Sequence, residues 1–142
     1  MSPPNVFLTP EDVGAKTSSK TGNPVIPIIV LLMKSIHDAH ITHLMQPDKT
    51  LALHTAMEKY YDGSIEDLVD DLCEVSMGIY PVTDMKVESS SKITNPVEYF
   101  SNLMSQIETL RKPIKESYLQ NMIDTACEEI AHTLYRLKNI TT

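Results

Sequence analysis

Residues 31–74 read LLMKSIHDAHITHLMQPDKTLALHTAMEKYYDGSIEDLVDDLCE, and this stretch decides the fold. Apolar side chains recur three and four apart at Ile29, Leu32, Met33, Ile36 and Leu44, then at Leu51, Met57, Tyr61, Ile65, Leu68 and Leu72. That is the spacing of one face of an α-helix. Gln46-Pro47-Asp48 stops the first run, because proline has no N–H to donate and pushes the preceding residue out of helical backbone. Asp62-Gly63-Ser64 interrupts the second, and Ser64 with Asp67 three residues on has the spacing of an internal N-cap.

Working outward, the first helix covers about 25–46 and the second about 49–77. A loop of about 78–94 follows, with Tyr80-Pro81 and the polar run ESSSK. The third helix has a clear start, with Asn95 as cap, Pro96 in the first position and Glu98 at capping-box distance. It runs to about Arg111 with Phe100, Leu103, Met104 and Ile107 inward. The fourth runs from about Pro113 to Lys138 with Leu119, Met122, Ile123, Ala126, Ile130, Leu134 and Leu137 inward. No β-type alternation and no internal repeat is visible. The expected fold is all-α: a four-helix bundle over 25–142, with a long connection between helices two and three. Residues 1–24 read as an extended N-terminal tail, holding Pro3, Pro4, Pro10, Pro24 and the stretch TSSKTGN. Within it, Thr9-Pro10-Glu11-Asp12 has the order of a short helical start.

The chain of 142 residues carries 19 acidic against 12 basic residues, a formal charge of −7. Nucleic acid is therefore a poor partner, since phosphate binding needs clustered Lys and Arg. Cys73 and Cys127 cannot make a disulfide scaffold, which points to a reducing compartment. The longest apolar run, Val25 to Met33, includes Pro27 and falls far short of the about 20 residues that span a bilayer. The start of the chain lacks the basic character of a signal peptide. The expectation is a cytoplasmic protein with no membrane contact.

Histidine placement is the informative feature. His37, His40, His43 and His54 fall within eighteen residues. At about 100° per residue, His40 lands on the Ile29/Met33/Ile36 stripe, with His37 and His43 about 60° to either side. His54 and Glu58 are four apart on the stripe of Tyr61, Ile65 and Leu72. A carboxylate there is expensive unless paired or bound to a cation. Asp70 and Glu74 form a second pair four apart. Imidazole suits iron, and carboxylates can bridge two metals, so His and acids facing inward from bundle helices have the makings of a di-metal site. The other reading leaves His40 and His54 as core histidines bonded to Glu58 or to each other, and Asp70 and Glu74 on a solvated face. Glu129 and His132 have di-iron E-x-x-H spacing, but His132 points away from the Ile130 stripe.

The stretch 31–74 resembles the first two helices of the Dps family (DNA-binding protein from starved cells), the miniature ferritins. Ala39-His40 matches that family's first His, Leu53-His54 its second, Glu58 the acid that follows, and Asp70-x-x-x-Glu74 the last acidic pair. The ending NMIDTACEEIAHTLYRL is similar to the family's final helix. Ile41 stands where the family usually has Trp. Two spacings are longer, by about two residues between His40 and His54 and by about one between His54 and Asp70. On an unbroken helix Asp70 and Glu74 lie about 160° and 200° from His54. A break at Asp62-Gly63 that absorbs one residue brings them to about 60° and 100°.

The resemblance implies a ferritin-like bundle that oxidises Fe(II) at a site shared between subunits, with His40, His54 and Glu58 from one chain and Asp70 and Glu74 from another. His37 and His43 stand by as further ligands. It implies a homo-oligomer, a dimer at least and in the family often a dodecameric shell, with iron storage or peroxide detoxification as the task. The competing expectation is a bundle of the same fold that has lost the metal site and serves as a structural or interaction module, of the kind a small viral genome carries. A DNA-compacting role is a third, and the low basic content of the tail speaks against it.

Overall fold

The computed structural model describes residues 22–46 and 51–140. They form five helices: α1 Ile26–Leu44, α2 Leu51–Tyr61, α3 Ile65–Ile79, α4 Pro96–Leu110 and α5 Ser117–Lys138. There is no strand among the described residues. The interruption at Asp62-Gly63-Ser64 divides the expected second helix into α2 and α3. Gly63 fits there because a Cβ would come within 2.6 Å of the Lys59 carbonyl oxygen. Ser64 does not cap α3 with its side chain, as its spacing suggested. Its backbone is itself helical, and the acids Glu66 and Asp67 instead meet the positive end of the helix.

Counting α2–α3 as one broken helix, four helical rods close a ring. α1 packs on α2 and α3, these pack on α5, α5 on α4, and α4 on α1. Pairings along the rods fix their directions. His43 meets His54, Ser35 Oγ meets Tyr60 OH at 2.6 Å, and Asn23 Nδ2 donates to Ser76 Oγ at 3.1 Å. So α1 runs antiparallel to α2–α3. Residues 80–95 hold neither helix nor strand. Their later part travels in the same direction as α1. The Ser91 N–H donates to Asp38 Oδ1 at 3.0 Å, and the Ile93 N–H to Thr42 Oγ1 at 2.8 Å. That path carries the chain to the far end of the bundle, so α4 starts beside the end of α1 and runs parallel to α3.

The core is aliphatic. Ile28, Ile29 and Leu32 from α1, Met57, Tyr60, Ile65 and Leu72 from α2 and α3, Phe100 and Ile107 from α4, and Leu119, Ile123 and Ile130 from α5 are almost wholly buried. Each such side chain contributes about 1.5–3 kcal/mol on burial. The polar groups inside are satisfied, as burial requires. Ser35, Asp38, Thr42, Ser76 and Thr133 each hold a hydrogen bond. Asn95 caps α4 as its position implied, its Oδ1 accepting from the Glu98 N–H at 3.2 Å.

Four expectations shift. Leu44 and Leu51, expected inward, are 68% and 64% exposed, at the last residue of α1 and the first of α2. The last helix starts at Ser117 rather than Pro113. The intervening turn is held by Gln120, whose amide donates to the carbonyls of Arg111 and Ile114. Asn23 and Pro24, assigned to the tail, are buried in the bundle. The rest of the tail, with its Thr9-Pro10 helical start, lies outside the described residues. No described helix is long and apolar enough to cross a membrane.

Candidate metal centre

The last turn of α1 and the first turns of α2 face each other, and this places two imidazoles in contact. The rings of His43 and His54 stack with centroids 3.7 Å apart and an interplanar angle of 30°. Each ring is fastened to the other residue's backbone. His43 Nδ1 lies 3.0 Å from the His54 carbonyl oxygen, and His54 Nδ1 lies 2.9 Å from the His43 carbonyl oxygen. A carbonyl oxygen only accepts, so both Nδ1 atoms carry the proton. In the neutral rings both Nε2 atoms are then left with a lone pair. A backbone carbonyl on one ring nitrogen, freeing the other, is the usual support of a metal-bound histidine.

Glu58 follows His54 by one helical turn and brings a carboxylate to the same place. Ligand atoms of His43, His54 and Glu58 all lie within 4.8 Å of one another. Around a first-row metal with bonds of about 2.0–2.2 Å, ligand atoms sit about 3.4–4.3 Å apart. The spread of the three groups is thus somewhat wider than that of ligands on one ion. Both histidines are half-buried and Glu58 is exposed, so the cluster opens to solvent on one side. Tyr61 closes another side, its ring edge-on to His43 at 5.3 Å.

His40, expected on the apolar stripe as the first ligand, is exposed and stacks on Tyr61 with centroids 4.1 Å apart. The reason is angular. The buried arc of α1 is centred near Ile28 and Ala39, between Ile29 and Ile36 on one side and Asp38 and Thr42 on the other, and His40 lies about 110° from that centre while His43 lies about 50° from it. His43, expected to flank, is therefore the residue that meets His54. His37 is exposed and apart from the cluster. Asp70 and Glu74 are exposed on α3, and within one chain they do not join the histidines. His132 is exposed, as its angle implied, and Cys73 and Cys127 are free thiols.

A second polar centre escaped the sequence reading. Asp38 is 1% exposed. Its carboxylate accepts from Lys34 Nζ at 2.7 Å, from Tyr99 OH at 2.6 Å and from the Ser91 N–H. Burial alone would raise its pKa, but these three donors, together with the Ser90 side chain, outweigh burial and hold it below the ordinary carboxylate value. Burial and the Asp38 hydrogen bond together push the Tyr99 phenol up. Only the Lys34–Asp38 spacing was visible in advance, since the other partners lie 53 and 61 residues away.

The chain belongs to DUF5856, a family of unknown function. The match spans residues 43–137, so it begins at the first histidine of the cluster and includes all three of its residues. No curated protein and no solved structure matches the chain.

Proposed function

We propose that this chain is a ferritin-like bundle that takes Fe(II) as substrate at His43, His54 and Glu58 and passes its electrons to peroxide or dioxygen. The observation that carries the reading is the meeting of two supported imidazoles and a carboxylate within 4.8 Å. Two histidines and one acid leave coordination positions open, the donor set that non-haem Fe(II) favours. A single long crossover between paired helices is also the connectivity of ferritin-like folds.

In this reading His43 and His54 bind through Nε2 as neutral imidazoles and Glu58 offsets part of the charge. Each Fe(II) gives up one electron, so one peroxide accepts from two ions and, with two protons, leaves as two waters. The cluster of one chain serves one ion. Asp70 and Glu74, exposed on α3, hold the second from a neighbouring copy in a homo-oligomer. The net charge of −7 favours the approach of cations.

Anaerobic Fe(II) titration followed by addition of peroxide, with the ferric product read by absorbance, tests the proposal. Binding that His43→Ala and His54→Ala both remove, with oxidation faster than in buffer, is the expected result. No Fe(II) binding sinks it.

A second reading has its own support. The reciprocal ring-to-carbonyl hydrogen bonds join α1 to α2 with no ion, so the pair would also serve a bundle that is purely structural. In that case the same variants change stability and leave metal uptake at background.

A further inference from the structure

A groove of about 620 Å3 lies between α2 and the end of α5, outside the metal cluster. Its floor is apolar, with Leu51, Tyr135 and Ile140, and its rim carries Lys59 and Arg136. Among the described residues no acid lines it, and neither cation makes an ion pair. Leu51 is 64% and Tyr135 69% exposed. A basic rim around an apolar floor is complementary to a surface that is both acidic and apolar.

Helix α3 carries such a surface. Asp67, Asp71, Val75 and Ile79 follow one another at intervals of four and so form one stripe of the helix. All four are exposed, Val75 by 37% and Ile79 by 47%. The stripe is acidic in its first half and apolar in its second, and no Lys or Arg occurs between Lys59 and Lys86. Neither Asp67 nor Asp71 makes an ion pair with a described residue. On the α2 wall of the groove the order is reversed: apolar Leu51, then Thr55, then Lys59, again at intervals of four. From Leu51 to Lys59, and from Asp71 to Ile79, the helix advances about 12 Å.

We infer that the groove receives α3 of a second copy of this chain, in an antiparallel register that sets Leu51 against Ile79, Thr55 against Val75 and Lys59 against Asp71. Arg136 adds its charge on the same rim. Measured from the buried residues of their own helices, Lys59 and Asp71 turn away in the same sense, by about 110° and 130°. Groove and stripe therefore share one flank of the rod, on either side of the break at Gly63. Within one chain they cannot meet, because α2 and α3 are consecutive lengths of that rod. Two copies related by a two-fold axis make the pairing twice and cover both grooves at once. The inference gives a homo-oligomer its contact face and does not rest on the iron reading, since none of its residues belongs to the cluster or to the pair Asp70 and Glu74.

Sedimentation velocity of the full chain, without metal and over a range of concentrations, tests it. The wild type should associate, with a dimer as the first step. Lys59→Glu alone and Asp71→Lys alone should each weaken association by about tenfold or more, since like charges then meet twice in every dimer. Lys59→Glu combined with Asp71→Lys in one chain restores opposite charges and should recover most of the loss. Both positions are exposed, so circular dichroism should show wild-type helix in all three variants. A wild type that stays monomeric at every concentration, association indifferent to the single reversals, or a combined variant no better than the single ones each overturns the inference. The last result would assign the groove to an acidic surface other than α3.

Discussion

Two polar centres hang from α1 about 140° apart, and they are built in opposite ways. On the side facing α4, Asp38 is enclosed, and each donor around it comes from a different segment. On the side facing α2, His43 and His54 are half-buried and use only one nitrogen each. The first centre spends its carboxylate on protein donors and ties residues 90–93 and α4 to α1. The second keeps a lone pair on each ring and an exposed carboxylate. A satisfied buried carboxylate is architecture, whereas unspent ligand atoms held in place by the backbone are the material of a binding site.

The largest expected effect follows from removing the enclosed charge. Asp38→Ala leaves the Lys34 ammonium, the Tyr99 hydroxyl and the Ser91 N–H without their acceptor. It should lower stability by about 3 kcal/mol or more, read by urea denaturation, with Fe(II) affinity in the surviving folded protein unchanged. His54→Ala should do the reverse, costing about 1 kcal/mol of stability and about 100-fold or more in metal affinity. If Asp38→Ala proves the milder of the two in denaturation, the contrast between the sides is wrong.

The break between α2 and α3 sets where the cluster sits relative to the rest of α2–α3, and Gly63 guards it. Gly63→Ala drives a methyl against the Lys59 carbonyl oxygen, which is backbone and cannot swing away. We expect a loss of about 1–2 kcal/mol in thermal or urea unfolding. An unchanged midpoint would mean that the turn has slack the geometry does not suggest. Smaller still, Glu58→Gln keeps the shape and removes the charge, so metal affinity should drop by about tenfold while the stacked rings remain.

How much of this was legible beforehand depended on how local the cause was. The Asn95-Pro96 start of α4 and the interruption at Gly63 are written in adjacent residues, and both stand in the structure. The concentration of histidines was equally plain. Which histidine meets His54 was not, because an assumed stripe of Ile29, Met33 and Ile36 is rotated from the arc that tertiary packing buries. An error of one helical position in that arc exchanges His40 for His43. The role of Asp38 was hidden for a different reason: two of its three donors arrive from beyond residue 90, and no spacing rule links them to α1.

The two sides should also part company with pH. The donors around Asp38 hold its folded pKa below the ordinary carboxylate value. A lowered carboxylate pKa adds stability that is fully present above the unfolded value and is lost as pH falls through the folded one. The clasp therefore holds at pH 5 and weakens only below about pH 4. Metal binding through imidazole answers to a different proton, since a protonated ring cannot coordinate. The stability gap between the wild type and Asp38→Asn should stay open down to about pH 4 whatever Fe(II) uptake does, and below that it should close. Parallel titrations of metal binding and of urea midpoints for the two proteins would show it. A gap that closes together with metal binding would mean that Asp38 and the histidines answer to one structural event, and the division of α1 into a built side and a working side would fail.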